Sequence, residues 1–241
     1  MPSSAPVAAA DGRLLDIRDL RVEYLTPRGP VVAVDGVSFS IAPGEVFGLA
    51  GESGCGKSTI AHAILRTLRP PAVITGGEVL FRGRDALDLE GAELEAFRWK
   101  DVSMVFQSAL NSLNPVMRVS DQIADVLIRH EGVSRQAAHA RAGELLDTVG
   151  IARNRLHAFP HELSGGMRQR VVIAIALALR PPLMIMDEPT TALDVVVQKD
   201  ILQQIGDLKA EMGFSILFIT HDLSLMVEFS DRIGVMYAGK L

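Results

Sequence analysis

The sequence predicts an α/β fold with a mainly parallel sheet, an antiparallel β lead-in and an inserted α-helical subdomain. Three observations support this prediction. The first forty residues alternate like β-strands, a central region carries helical patterns, and the last third alternates short apolar strands with helices. With 241 residues, 48% of them hydrophobic and 5% aromatic, the chain can bury a substantial aliphatic core.

The N-terminal residues 1–13 are expected to be a disordered lead-in, with the folded domain covering residues 14–241. They lack a basic segment followed by a long apolar stretch, so they do not resemble a secretory signal. The segments LLDIRDLRVEYL and VVAVDGVSFSI are typical of strands joined by the turn TPRGP. EVFGLA is a third strand that runs into a glycine-rich loop, and GEVLFRG is expected as a strand behind a Gly-Gly turn.

The central region, about residues 108–180, is predicted to be the helical subdomain. Its helical patterns, DQIADVLIRHEG, SRQAAHARAGELLDTVG and MRQRVVIAIALALR, are separated by Gly, Pro and Asn. Beyond it, the strand-like segments PLMIMD, FSILFIT and RIGVMYAG alternate with helical ones. This alternation predicts parallel pairing of the strands.

Composition excludes several classes of protein. A net charge of −5 argues against a general nucleic-acid binder, and the single cysteine, Cys55, rules out internal disulfides and a multi-cysteine metal cluster. The longest strongly apolar run, VVIAIALAL, has nine residues, whereas a bilayer span needs about 20. We therefore expect a soluble, cytoplasmic chain that serves a membrane only through a partner.

The stretch GESGCGKST at residues 51–59 fits the phosphate-loop pattern G-x-x-x-x-G-K-[ST] between a strand and a helix. Glycines let several backbone N–H groups face the phosphates, and the helix N-terminus adds its positive dipole end. Lys57 would reach the β- and γ-phosphates, and Ser58 would bind Mg²⁺. The loop indicates a nucleoside triphosphate but not the use made of its energy. The residues expected to contact the nucleotide are Gly51, Glu52, Ser53, Gly54, Cys55, Gly56, Lys57, Ser58 and Thr59.

A second candidate site follows the apolar strand in LMIMDEPT, residues 183–190. Asp187 would stand at the carboxyl end of a buried strand, where parallel sheets place ligand chemistry. We expect it to hold Mg²⁺ through its water shell, and Glu188 to polarise the attacking water. His221 follows another apolar strand; it is either polar surface or a group near the γ-phosphate.

Together these pieces resemble the ATP-binding cassette of ABC transporters, from about Leu14 to the end. GESGCGKST matches the Walker A loop, Gln107 in MVFQ the Q-loop, and LSGGMRQR the signature. LMIMDEP matches the Walker B strand, TALD ends in the D-loop Asp194, and His221 matches the switch histidine. The resemblance implies a RecA-like core, with the helical subdomain inserted. It also implies that Glu188, His221 and Gln107 are catalytic and that Gln107 joins Ser58 and Asp187 around Mg²⁺.

The resemblance explains why the chain has two glycine-rich turns suited to anions. Cassettes pair head-to-tail, and each ATP lies between one subunit's Walker A loop and the other's signature. Ser164, Gly165, Gly166 and Asp194 would therefore serve the partner's nucleotide. By itself, Ser164 is equally well explained as the N-cap of a helix after a glycine-rich turn. Tyr24 matches the aromatic position that stacks on adenine, although an aromatic residue in this lead-in could also belong to the core.

A narrower resemblance connects the segments SLNPVMRV, FPHELSGGMRQR and DEPTTALDVVVQ with ATPases of oligopeptide, dipeptide and nickel importers, some of which move oligosaccharides. It implies permease subunits, a second cassette of the same or another chain, an indirect substrate-binding protein, and a peripheral location at the cytoplasmic face of the membrane. Such relatives usually continue past MYAGK, with a tail that can hold an iron–sulfur cluster. This sequence ends at Leu241, so a tail either follows in a longer chain or is absent.

Two other classes of protein compete with an importer ATPase: soluble cassette ATPases of chromosome maintenance or translation, and scaffolds that sense nucleotide without hydrolysing it. Cassettes of chromosome maintenance carry a long coiled coil between Walker A and the signature, but no sustained heptad pattern occurs there. Translation factors of this family carry two cassettes, and one set of motifs is present. A scaffold that senses nucleotide without hydrolysis would not need Glu188 and His221, which are both present.

Overall fold

The structure, a computed structural model, describes residues 12–106, 112–190 and 193–241. The chain divides into two compact units. The first consists of the residues up to Phe97 together with Ser215–Leu241, and the second of Arg98–Phe214. Residues 1–11 of the expected lead-in lie outside the described residues; Arg13 is described and forms an ion pair with Asp16 at 3.0 Å.

The first unit contains an antiparallel sheet built from the β lead-in. Its strands pair in the order β2-β1-β4-β5, with a tight hairpin between Thr26 and Gly29 where the TPRGP turn is expected. Leu15, Ile17, Leu20 and Val22 of β1 are buried, and the alternation changes phase at the register shift between Ile17 and Leu20. The strands are β1 (Leu15–Thr26), β2 (Gly29–Ile41), β4 (Ala72–Phe81) and β5 (Arg84–Asp85).

Parallel strands of the same unit position the phosphate loop. β3 (Val46–Gly51) lies between β8 (Ser215–Ile219) and β9 (Arg232–Met236), with Leu49 opposite Ile219 on one side and Gly234 on the other. β3 is buried from Val46 to Ala50, as expected for an inner strand covered on both faces. The helices of this unit are α1 (Lys57–Ile64), α2 (Gly91–Ala96) and α7 (Leu223–Phe229).

The Gly-Gly pair before EVLF does not form the expected turn, because β4 begins at Ala72 and runs through it. The pairing of β1 with β4 shifts register between Arg18 and Arg21, which is a β-bulge opposite these glycines. Gly77 has φ +90, and a Cβ there would lie 2.5 Å from the Asp19 carbonyl oxygen. The glycine therefore permits a close approach of two strands rather than a chain reversal.

We expect Gly77→Ala to lower the free energy of unfolding by roughly 3 kcal/mol, because it combines left-handed strain with a backbone clash. Gly83→Ala is the matched control. Gly83 has φ +80, but a Cβ there meets nothing within 4 Å, so only the left-handed backbone cost of about 1 kcal/mol applies. Urea unfolding of the two variants measures the difference, and equal losses would contradict the steric argument.

In the second unit, β6 (Val102–Val105) pairs in parallel with β7 (Leu183–Asp187), with Val105 opposite Met186. Helices α3, α4 and α5 pack against one another, and α5 also contacts β6. These helices lie within the range 108–180, whose boundaries as a subdomain stay a prediction. The helices are α3 (Val119–Glu131), α4 (Arg135–Thr148), α5 (Gly165–Leu177) and α6 (Val195–Met212).

Within the described parts of the chain, no helix combines the length and apolar character that crossing a membrane requires.

Candidate functional site

The phosphate loop connects buried strand β3 to α1. Gly51 has φ +150, and Gly56, the N-cap of α1, has φ +109. A Cβ at Gly51 would lie 2.4 Å from the Met236 carbonyl oxygen, and a Cβ at Gly56 would lie 2.4 Å from that of Ala33. Glycine is therefore required at both ends of the loop, which is pressed against β2 and β9.

Lys57 folds its side chain back across the loop and is only 5% exposed. Its Nζ donates to the carbonyl oxygens of Gly51 and Glu52, at 2.7 and 2.8 Å, and lies 3.6 Å from the Cys55 Sγ. Among the described residues, no side chain caps α1 and its first turn holds no acid. The first N–H groups of α1 therefore face the loop beside a cation, which is the chemistry of an anion site.

Two other predicted residues, Tyr24 and His221, lie in the same unit. The half-buried Tyr24 has its Oη 3.4 Å from the Thr59 Oγ1, so it adjoins the residue that ends the loop motif. The exposed His221 follows β8, whose carboxyl end is at the same edge of the parallel strands as the end of β3. Of the loop residues, Cys55, Gly56 and Lys57 are buried, Gly51 and Thr59 are half-buried, and Glu52, Ser53, Gly54 and Ser58 are exposed.

The second unit holds the acidic pair. Every residue of β7 is buried, including Asp187 at its carboxyl end, which is 5% exposed. Glu188 is half-buried and has φ +46. A left-handed backbone is uncommon for a non-glycine residue, and such strain is found disproportionately at functional sites. The two carboxylates, Asp187 and Glu188, therefore stand at the carboxyl end of a fully buried strand.

The start of α5, at Ser164, and the start of α6, at Asp194, come together in this unit. Ser164 caps α5: its Oγ accepts from the Met167 N–H at 3.3 Å, and the first turn holds no acidic residue. A Cβ at Gly166 would lie 2.9 Å from the Val197 Cγ1, so α5 approaches the start of α6 closely. Asp194 caps α6 by accepting from the Val197 N–H at 3.0 Å. The structure thus groups Ser164, Gly165, Gly166 and Asp194, the set that sequence reasoning assigned to a partner's nucleotide.

Gln198 makes a hydrogen bond near the acidic pair that the sequence did not predict. Its Nε2 donates to the Thr190 carbonyl oxygen at 2.7 Å, and the Leu193 N–H donates to the same oxygen at 3.0 Å. Gln198 thus connects the first turn of α6 to Thr190, shortly after β7. A single glutamine in a helical pattern carries no sequence signal for such a role. Gln107, predicted to be catalytic and to bind Mg²⁺, lies outside the described residues.

Residues 34–191, more than half of the chain, match the ABC transporter family, so the chain belongs to that family. The resemblance identified from the ordered motifs is therefore confirmed.

Among curated proteins, the chain is 48% identical over 232 residues to the oligopeptide transport ATP-binding protein OppD of Bacillus subtilis (strain 168), covering 95% of this chain and 65% of that protein. It is 51% identical over 231 residues to the peptidoglycan transport ATP-binding protein YejF of Agrobacterium fabrum, covering 95% and 42%. The chain is 43% identical over 232 residues to the dipeptide transport ATP-binding protein DppD of Bacillus subtilis, covering 95% and 69%. It thus spans less than two thirds of the length of the first two relatives.

Solved structures agree on the fold. The dimeric bacterial ABC transporter cassette MJ0796 superposes with a TM-score of 0.83 at 30% identity, covering 94% of this chain and 96% of that one. A dimeric post-hydrolysis state of MJ0796, bound to ADP and Pi, gives 0.82 at 29% identity with the same coverage. The predicted fold class is confirmed: a P-loop NTPase core with a mainly parallel sheet, an antiparallel lead-in and a helical insertion.

Proposed function

We propose that the chain is the ATP-hydrolysing subunit of a membrane importer, with ATP bound between two head-to-tail cassettes. The phosphate loop carries this proposal, because its glycines, its cation and the N-terminus of α1 together suit an anion. Family membership narrows the anion to the triphosphate of ATP. Relatives named for oligopeptide and dipeptide transport favour peptides as cargo; one named for peptidoglycan transport, and the oligosaccharide and nickel importers, supply the alternatives.

Binding would begin at the loop. The ammonium of Lys57, now held by two carbonyl oxygens, would turn toward the β- and γ-phosphate oxygens, whose full negative charges attract it more strongly. The exposed Ser58 would stand at the first turn of α1. Tyr24, beside Thr59, would present its ring to the adenine base.

Magnesium fits the oxygen donors that the motifs supply, a Ser58 hydroxyl and an Asp187 carboxylate. In the described ranges, no group of three or more His, Cys, Asp or Glu residues could hold a metal ion, so Mg²⁺ would arrive with the phosphates rather than occupy a protein cage. When bound, the ion neutralises charge on the phosphate oxygens. Family membership supports assigning both residues, with Gln107 as a further ligand, to one ATP.

Hydrolysis requires a water held in line with the γ-phosphate. Glu188, half-buried directly after β7, would accept a hydrogen bond from that water and orient it. His221 would contact the γ-phosphate and stabilise the charge that develops there. Positioning and charge stabilisation account for most of catalysis in this class of reaction.

The N-terminus of α5 is a second helix start suited to an anion. Its proposed ligand is the nucleotide of another cassette, which is why we propose a dimer. Ser164 and Gly166 would present the first N–H groups of α5 to the γ-phosphate held by the other cassette, and Asp194 would lie at the same interface. The partner cassette is a second copy or a paralogous chain. Permease subunits, contacted by the helical subdomain, and indirectly a substrate-binding protein complete the proposed assembly at the cytoplasmic face of the membrane.

Mixing two inactive variants tests this arrangement. Lys57→Ala and Ser164→Arg should each inactivate a pure dimer, because both of its sites are damaged. A mixed dimer has one doubly damaged site and one intact site, so ATPase activity should partly return on mixing. It should rise with protein concentration, since the site exists only in the dimer.

The control for the rescue is Lys57→Ala alone, measured at the same total protein concentration as the mixture. The proposal would be contradicted if wild-type specific activity stayed constant on dilution while light scattering showed a monomer with ATP bound. That result would place both glycine-rich turns on one nucleotide in one chain.

A further inference from the structure

The eight residues before Ser164, residues 156–163 and here called the pre-signature segment, are hydrogen-bonded to the start of α3. The Val119 N–H donates to the Ala158 carbonyl oxygen and the Ser120 N–H to that of Leu156, each at 3.0 Å. Helix-starting N–H groups need partners from outside the helix. Here both partners come from the segment that leads into the signature, so its backbone is fixed to α3.

Side chains strengthen this attachment. The Arg118 guanidinium lies over the Phe159 ring, 5.0 Å from its centroid, and its Nη1 donates to the His157 carbonyl oxygen at 2.5 Å. The Phe159 ring is stacked on that of His161, with centroids 5.6 Å apart and planes 9° apart. A cation over an aromatic face contributes attraction in addition to packing. We call Arg118, Phe159 and His161 the pre-signature stack.

Between Phe159 and the Ser164 cap, further hydrogen bonds hold the backbone. The Glu162 carboxylate accepts from the Phe159 N–H at 2.6 Å, and the Glu162 N–H donates back to the Phe159 carbonyl oxygen at 3.0 Å. The Leu163 N–H donates to the Pro160 carbonyl oxygen at 3.2 Å. Ser164 follows directly. Because the segment between them is hydrogen-bonded, a displacement of Phe159 would also displace the Ser164 cap.

We propose that Phe159, held in place by Arg118, is a positioning residue for the signature turn: through the pre-signature segment it sets where Ser164 and the first N–H groups of α5 point. This inference deepens the proposed function and depends on it for its catalytic consequence. A misplacement of about 1 Å in a group that contacts the reacting phosphate can cost a hundredfold in rate. The stack also means that a displacement of the start of α3 is transmitted to the signature turn.

The experiment compares Arg118→Met and Phe159→Leu with the conservative Phe159→Tyr. Arg155→Met, an exposed arginine of the neighbouring turn, is the matched control. The first readout is hydrogen exchange of the Met167 and Arg168 amides, which donate to Ser164. The second is the ATPase kcat, and the third is ATP affinity, titrated without Mg²⁺ at concentrations where light scattering shows monomer.

We expect Arg118→Met and Phe159→Leu to speed exchange of these amides and to lower kcat about tenfold, because signature geometry is loosened. ATP affinity of the monomer should stay within about twofold, since the phosphate loop is untouched. Phe159→Tyr and Arg155→Met should resemble the wild type in all three readouts. Wild-type behaviour in Phe159→Tyr would show that the aromatic ring itself positions the turn. Loss of function in Phe159→Tyr would instead show that any substitution at this position is disruptive.

The inference is wrong if both test variants keep wild-type exchange and kcat. It is also wrong if exchange rises equally in α4, because that pattern means general loosening of the unit rather than positioning of one turn. If the wild-type chain hydrolyses no ATP, the proposed function fails instead. The exchange readout then still decides whether the stack holds the signature turn.

Discussion

Replacing Glu188 with glutamine should lower ATP hydrolysis by at least about a hundredfold and leave ATP binding intact. Glutamine keeps the shape of the side chain but loses the negative charge that orients and polarises the water. Glu188 is half-buried, and an amide of the same size fits the space of the carboxylate without repacking its neighbours. The substitution therefore removes chemistry without removing geometry.

Because the products no longer form, ATP should accumulate in the closed assembly and trap a dimer. Size-exclusion chromatography with light scattering would show the doubled mass with ATP and its loss with ADP. Glu144→Gln, which neutralises an exposed glutamate on α4, is the control and should turn over normally. Normal turnover in Glu188→Gln would show that another group positions the water.

Lys57→Ala should reduce ATPase activity to background and weaken ATP binding about tenfold to a hundredfold. Hydrogen bonds to charged groups contribute about 1.5–3 kcal/mol, and each 1.4 kcal/mol is a factor of ten. The effect on hydrolysis is larger than that on binding, because the ammonium opposes charge that grows in the transition state.

Lys57 also holds the loop through the carbonyl oxygens of Gly51 and Glu52, so a folding control is needed. Lys57→Met keeps the length and apolar stem without the charge, and it should be as inactive as alanine. Lys240→Ala removes an exposed lysine whose Nζ lies 3.4 Å from Asp35; it should keep wild-type activity and thermal midpoint. ATPase activity near wild type in Lys57→Ala would overturn the assignment of the phosphate loop.

The parts of the site that sequence predicts best are those formed by consecutive residues. The phosphate loop is local: its glycines, lysine and flanking strand and helix lie within one short stretch, and spacing alone specifies the geometry. The same holds for the Ser164 cap of α5 and for Asp187 at the end of β7. In these cases backbone conformation and the position of one side chain follow from neighbours along the chain.

Contacts between distant segments carry no comparable signal. Gly77 seemed suited to a turn, yet it serves a bulge imposed by the neighbouring strand β1. Gln198 reaches back eight residues to the Thr190 carbonyl, and Arg118 meets Phe159 forty-one positions later. Such pairings depend on how strands and helices pack, which periodicity does not encode. The catalytic roles of Gln107, Glu188 and His221 stay predictions.

Gly239, near the end of the described chain, joins the phosphate loop to β2 through two backbone hydrogen bonds. The Gly239 N–H donates to the Cys55 carbonyl oxygen at 3.2 Å, and the Asp35 N–H donates to the Gly239 carbonyl oxygen at 2.8 Å. The family match, residues 34–191, includes the loop but not this brace. A fragment cut to the matched residues would keep the phosphate-loop motif but lose the Gly239 hydrogen bonds that support the loop. A minimal nucleotide-binding fragment should therefore extend through Gly239.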